Sequence, residues 1–133
     1  MNDLWVMGPH SSGTRLATRL VASSGIAAHH YTFPHADWWP EDPVVWVTRD
    51  PVTTAASMLI NGHVESITEG LDAVVRANTH WVDHRDDDDF HITYEEILLD
   101  TRDVIERLAE HLILPYWKFD EEIADGNEKY LNA

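Results

Sequence analysis

Short apolar runs too brief for helices alternate along this chain with longer stretches whose apolar residues step by three and four, a pattern that predicts strands separated by amphipathic helices. Leu4-Trp5-Val6-Met7, ended by Gly8-Pro9, predicts a first strand buried on both faces. After Ser11-Ser12-Gly13, the positions Leu16, Ala17, Leu20 and Val21 predict a helix, with hydroxyl residues at its start for capping and Gly25 at its end. Ile26 to Tyr31 predicts a second strand, and Thr32 to Pro43, with its prolines and Trp38-Trp39, is expected to be a long irregular aromatic loop. Val44-Val45-Trp46-Val47 is the clearest strand, and Asp50-Pro51 places an N-cap and a first-turn proline before a helix that reaches about Leu59 and stops at Asn61-Gly62. Ile67, Leu71, Val74, Val75, Asn78 and Trp81 mark a long amphipathic helix. Phe90 to Tyr94 predicts a fourth strand, and Asp100-Thr101 caps a last helix carrying Val104, Leu108, Ala109 and Leu112.

Strands that alternate with helices need crossover connections and hence a mostly parallel sheet. The expected architecture is a three-layer α/β domain spanning residues 1–133, with about four parallel strands flanked by helices. Ligands in such sheets bind beyond the carboxyl ends of the strands. Gly8 to Thr14 and Arg49 to Pro51 both fall at that edge.

Composition changes this picture mainly by exclusion. The chain is 44% hydrophobic and 10% aromatic with six tryptophans, which argues against disorder. It has no cysteine, so disulfides, thiolate metal sites and cysteine nucleophiles are out. No apolar run approaches the roughly 18 to 20 residues a membrane span needs, and no basic, then apolar, leader opens the chain. A soluble, cytoplasmic protein without a membrane partner is the expectation. The formal net charge is −15, and most of it lies after Val82, where 16 acids face 5 bases. A nucleic-acid backbone binder needs a basic face instead, so nucleic acid is not an expected partner. The run Asp86 to Asp89 is expected to be a solvated loop. Among the few bases before Val82, Arg15, Arg19 and Arg49 lie in or beside two motifs.

The first is Gly8-Pro9-His10-Ser11-Ser12-Gly13-Thr14-Arg15, two glycines five apart between a buried strand and a helix. Such a loop turns backbone N–H groups toward the positive end of a helix and makes an anion cradle, to which Ser12 and Thr14 can add hydroxyl donors. The nucleotide-triphosphatase consensus wants Lys and then Ser or Thr after the second glycine. Thr14 and Arg15 stand there instead, which argues against ordinary ATP hydrolysis and leaves phosphate binding intact. A plain glycine turn is the alternative. The second motif is Arg49-Asp50-Pro51, with Ser57 eight residues after the arginine on the following helix, a second anion site in the making.

With both motifs in this order the chain resembles the sulfotransferase family, whose donor is 3′-phosphoadenosine 5′-phosphosulfate (PAPS). In that family a loop of the form G-x-P-[RK]-S-G-T-T holds the 5′-phosphosulfate, and R-[ND]-P with a serine eight residues on holds the 3′-phosphate. Residues Gly8 to Arg15 match the first, and Arg49, Asp50, Pro51 and Ser57 the second. Ile92-Thr93-Tyr94-Glu95-Glu96-Ile97-Leu98 is similar to the family's late "YEDL" segment, and Asn127 to Tyr130 echoes its basic C-terminal segment. The resemblance implies a P-loop-type fold, binding of PAPS and of its product adenosine 3′,5′-bisphosphate, and sulfuryl transfer to a hydroxyl or amine acceptor. Family members usually carry Lys or Arg where this chain has Ser11, and Arg15 is the base placed to compensate.

Sulfuryl transfer needs a base near the acceptor, and a neutral imidazole can serve at pH 7. His35 and His30 flank the end of the second strand, where the resemblance places a catalytic residue, while His10 lies inside the loop. Each of the nine histidines taken singly is as readily a surface residue. His29, His30, His35 and Asp37 match no common metal-ligand spacing, and no metal is expected. Trp38-Trp39 and Phe33 either stack on adenine, line the acceptor pocket or close the core beneath the loop. The residues that choose the acceptor are expected in Thr32 to Pro43 and Ile60 to Val64, and nothing there distinguishes a sugar, lipid, peptide or small phenol. Two rival readings remain: a Mg²⁺-dependent P-loop kinase, and a non-catalytic binding protein on the same fold.

Overall fold

The structure, a computed structural model, describes residues 3–33 and 38–121. Four parallel strands form one sheet in the order β2-β1-β3-β4, with β1 at Asp3–Pro9, β2 at Ala27–Phe33, β3 at Val44–Thr48 and β4 at Phe90–Thr93. Helices α1 (Thr14–Ala22), α2 (Pro51–Ile60), α3 (Ile67–His84), α4 (Tyr94–Leu99) and α5 (Thr101–Leu112) supply the crossovers and flanks.

Alternation along the central strands divides the core into two layers. Leu4, Val6, Val45, Val47 and Ile92 turn to one side, where Leu16, Leu20, Ile97, Ile105 and Leu108 from α1, α4 and α5 cover them. Met7, Val44 and Trp46 turn to the other, against Ala77 and Trp81 of α3. Trp46 is wholly buried, and its indole Nε1–H donates to Asn78 Oδ1 at 3.0 Å, so its one polar atom is satisfied. Trp39 packs on Trp46, Trp81, His80 and His84, and Trp38 on Trp5 and Tyr31. Both tryptophans therefore cover the α3 face of the sheet, the core-closing alternative of the sequence expectation.

Several boundaries depart from the sequence expectation. β1 runs through Gly8-Pro9 because pairing with β2 continues to Pro9 and Phe33, whereas pairing with β3 stops at Met7 and Trp46. Pro9 thus lies where one side of the strand has no ladder to complete, which is where a residue without an N–H is tolerated. β2 correspondingly extends to Phe33 instead of ending at Tyr31. Tyr94 opens α4 instead of ending β4, because Thr93 and Glu96 form a capping box that starts a helix at that point. Asp100 then separates α4 from α5 and caps the latter by accepting the Asp103 N–H at 3.1 Å.

The acidic run is more than a solvated loop. Asp89 is half-buried, and its two carboxylate oxygens accept the Val44 N–H at 2.8 Å and the Asp86 N–H at 3.0 Å, tying the start of β3 to the approach to β4. Burial pushes its pKa up from the ordinary aspartate value.

Candidate anion-binding cleft

The turn between β1 and α1 is built by backbone requirements at two glycines. A Cβ on Gly8 would collide with the Val47 carbonyl oxygen, so this position must be glycine for β1 and β3 to approach as they do. Gly13 has φ 93° and a Cβ there would lie 2.6 Å from Tyr94 Cδ2, so both conformation and packing demand glycine. Between them Ser11 also takes a left-handed conformation, with φ 62°, and the Ser12 N–H closes the turn on the Pro9 carbonyl at 3.2 Å.

The hydroxyl cap expected for α1 is not made. Gly13 occupies the N-cap position with no side-chain cap, so the first-turn N–H groups of α1 face the carboxyl edge of the sheet with the helix dipole behind them. Ser12 is wholly buried and its Oγ has no hydrogen-bond partner, the one buried side-chain polar atom so placed among the described residues. An unsatisfied buried hydroxyl costs about 1 to 3 kcal/mol. Substitution Ser12→Ala is accordingly expected to leave the melting temperature of the free protein unchanged or raise it. If the loop closes on an oxyanion, the same change lowers anion affinity, and differential scanning fluorimetry with and without adenosine 3′,5′-bisphosphate reads both effects.

Arg49 comes from the end of β3. It is half-buried, donates from Nη1 to the Ser11 carbonyl at 3.0 Å, and holds its guanidinium carbon 4.6 Å from the centre of the Tyr94 ring. Asp50 caps α2 by accepting the Thr53 N–H at 3.0 Å, with Pro51 in the first turn as the sequence predicts, and its own N–H donates to Glu95 at 2.9 Å. Two turns into α2, buried Ser57 accepts a hydrogen bond from Asn61 Nδ2 at 3.2 Å.

These elements meet in a cleft of about 580 Å³ at the carboxyl edge of the sheet. Of the sequence-predicted residues, His10, Ser11, Gly13, Thr14, Arg15 and His30 line it, with Arg49 and Ser57. Gly8, Pro9 and Ser12 do not reach its surface: Gly8 and Pro9 are buried in β1, and Ser12 lies beneath the turn. His35 lies outside the described residues, as do Asp37 and the segment Asn127 to Tyr130. Thr32, Asn61 and His63 also line the cleft; they belong to no motif but lie in Thr32 to Pro43 and Ile60 to Val64, the segments expected to hold the residues that choose an acceptor. His63 stacks on His10, with ring centroids 4.5 Å apart and planes 16° from parallel.

His30 Nε2 lies 2.7 Å from Thr14 Oγ1, which joins β2 to the first turn of α1. Burial lowers its pKa below the ordinary histidine value, and the charge of Arg15 lowers it further, so the imidazole is neutral at pH 7. His29, one position earlier, stands on the opposite face of β2, stacked on Trp5 and 2.9 Å from Asp3 Oδ1. The two adjacent histidines therefore cannot share one ion. Among the described residues no group of three His, Asp or Glu side chains is arranged to hold a metal, and no helix is long and apolar enough to cross a membrane.

The sulfotransferase family model matches residues 29–118, about two thirds of the chain. The chain belongs to the sulfotransferase family. No curated protein matches it in sequence. Among solved structures, the mouse sulfotransferase SULT7A1 complexed with PAP superposes with a TM-score of 0.66 at 14% identity, over 98% of this chain and 63% of that one. The likeness establishes a common fold, and this chain spans under two thirds of that relative's length.

For a sulfotransferase-family chain, two basic residues stand out by position. The matched stretch begins after the turn between β1 and α1, and the cleft brings His10, Ser11, Gly13, Thr14 and Arg15 together with Arg49 and Ser57 of that stretch. Arg19, grouped with the motif by sequence, turns away and forms a two-pronged ion pair with Glu121, its Nη2 2.7 Å from Oε1 and its Nε 2.9 Å from Oε2. Arg15 is exposed and lines the cleft, as Ser11 does.

Proposed function

We propose that this chain binds PAPS and its product adenosine 3′,5′-bisphosphate and transfers the sulfuryl group to a hydroxyl or amine acceptor. One observation carries the reading: the uncapped N-terminus of α1 and the Arg49–Ser57 pair, two anion sites from separate elements, open into one cleft. The residues present suit a nucleotide with two phosphate groups. The turn at Ser11 to Gly13 has left-handed backbone and the orphaned Ser12 hydroxyl, and Arg49 with Ser57 offers a guanidinium and a buried hydroxyl for a second anion. The relative whose fold this chain shares is described as complexed with PAP.

The donor supplies a sulfuryl group whose bond to a phosphate oxygen breaks, with the electron pair left on that oxygen, as the acceptor oxygen or nitrogen forms its bond to sulfur. The α1 dipole, its first-turn N–H groups and Arg15 stabilise negative charge at the loop, the role a base at position 11 would otherwise share. Neutral His30 takes the acceptor proton at Nε2. The 2.7 Å contact between that nitrogen and Thr14 Oγ1 fixes where the ring stands at the cleft wall, and the base role uses the tautomer with its proton on Nδ1. His10 lines the same cleft as a second imidazole, and His35 stands in the segment that follows β2.

Calorimetric titration with adenosine 3′,5′-bisphosphate, beside AMP and ATP with and without Mg²⁺, tests the reading. The bisphosphate is expected to bind at least tenfold more tightly than AMP, because only it can engage both anion sites. Equal affinity for AMP would remove the 3′-phosphate site, and Mg²⁺-dependent preference for ATP would favour a kinase. Silence for all three would leave a non-catalytic binding protein.

A further inference from the structure

Resting on the nucleotide reading above, we infer that Asn61 is a positioning residue for its second anion site: the Asn61 side-chain amide fixes the Ser57 hydroxyl as a donor toward the 3′-phosphate. The inference begins from a hydroxyl proton without an acceptor. Serine and threonine inside a helix can give their proton to the carbonyl four residues back, and Thr18, Thr54 and Thr79 do so here, at 2.6, 2.9 and 2.9 Å. Ser57, 5% exposed, does the reverse. It accepts from Asn61 Nδ2 at 3.2 Å, and among the described residues nothing accepts from it. A hydroxyl has one proton and two lone pairs. With a lone pair engaged by the amide, the proton is directed away from Asn61, and both residues line the cleft.

The place of this pair on α2 explains why a fixed donor is needed. Ser57 stands in the last turn of α2 and Asn61 is the C-cap, the end at which a helix dipole disfavours an anion. That turn holds no basic residue, and Arg49 already gives one N–H to the Ser11 carbonyl. Ending the helix does not require the Asn61 side chain. The Asn61 N–H donates to the Ser57 carbonyl at 3.0 Å, the Gly62 N–H to Leu59 at 3.2 Å and the His63 N–H to Met58 at 2.9 Å, all of them backbone bonds. Gly62 is the residue in the left-handed region, with φ 77°, while Asn61 has φ −85°, which alanine adopts as well. The helix stop that the sequence predicts at Asn61-Gly62 therefore leaves the amide of Asn61 to a second task, holding the Ser57 hydroxyl.

The test titrates the intact chain with adenosine 3′,5′-bisphosphate and with AMP by calorimetry, as the parent and as Asn61→Ala, Asn61→Asp, Ser57→Ala and the double variant of Ser57→Ala with Asn61→Ala. Asn61→Ala is expected to weaken bisphosphate binding about fivefold, the scale of one hydrogen bond, with AMP affinity and melting temperature close to the parent's. Asn61→Asp keeps the shape but replaces the donor with a charged acceptor that captures the Ser57 proton, and it is expected to lose more. Because Asn61 acts through Ser57, Asn61→Ala is expected to cost nothing further once Ser57 is alanine. An undiminished loss in that background would overturn the inference. So would parent-like bisphosphate binding by Asn61→Ala or Asn61→Asp, or an AMP affinity that falls as far as that of the bisphosphate, the mark of a loosened helix end. A parent chain that binds the bisphosphate no better than AMP fails the nucleotide reading, and this inference with it, before any variant is compared.

Discussion

Substitution Arg49→Ala is expected to weaken adenosine 3′,5′-bisphosphate binding by about 1.5 to 3 kcal/mol, the range for a charge-assisted hydrogen bond, which is roughly 10- to 150-fold in affinity. AMP, lacking the 3′-phosphate, is expected to lose much less. The argument has two parts because Arg49 has two roles. Arg49 lines the cleft, as Ser57 does, and it also donates to the Ser11 carbonyl and lies on the Tyr94 ring, so it braces the turn before α1. Arg49→Lys separates the two: it keeps a positive charge but loses the planar fork that can hold a carbonyl and an anion together. An intermediate affinity for Arg49→Lys, with thermal unfolding close to the parent's, identifies the charge as the binding element. If affinity and melting temperature fall together in Arg49→Ala, and AMP loses as much as the bisphosphate, the arginine is a brace for the turn and the 3′-phosphate assignment fails.

Gly8→Ala is expected to cost about 3 kcal/mol of folding stability, at the upper end of the cost of overpacking a core. The added methyl would collide with the Val47 carbonyl and would also lie 2.7 Å from Ser12 Oγ. The first obstacle is backbone of β3, which cannot rotate aside as a side chain can. Relief requires β1 and β3 to separate just where one leads into the phosphate-type turn and the other into Arg49. Urea unfolding monitored by tryptophan fluorescence measures the loss. A variant as stable as the parent would show that the strands have slack at the carboxyl edge, and that this approach does not hold the turn before α1 in register with Arg49.

The contrast between Gly8 and Ser12 shows how much of the site was legible in the linear chain. Both belong to one motif, and the motif's spacing correctly predicts a turn between a buried strand and a helix. Spacing cannot say which members face the ligand. Gly8 serves strand approach, Ser12 turns into the interior with an unsatisfied hydroxyl, and His10, Ser11, Gly13, Thr14 and Arg15 supply the surface. Arg19 was grouped with the site because it is near in sequence, but its position on α1 directs it to Glu121, more than a hundred residues away. His63, conversely, carries no motif. It lies in Ile60 to Val64, a segment expected to choose the acceptor, and the fold of α2 back toward the turn sets it in the cleft wall, stacked on His10.

Elements whose evidence is local were determined by the sequence alone. The apolar runs of β1 and β3, the Asp50-Pro51 start of α2, the Asn61-Gly62 stop and the amphipathic stepping of α3 depend on residues within a turn or two of one another, so periodicity and capping chemistry suffice. The parallel α/β architecture follows from their alternation. Tertiary structure decided whatever depends on partners distant in the chain. Pairing with β2 carried β1 through Pro9, the Thr93–Glu96 box turned the end of an expected strand into α4, and packing on the α3 side of the sheet drew Trp38 and Trp39 away from the cleft. Hydrophobic burial is non-directional along the chain, so a tryptophan's sequence position states only that it will be covered. Which side of the sheet covers it, and therefore that no tryptophan is among the described residues lining the cleft, is decided when the layers close.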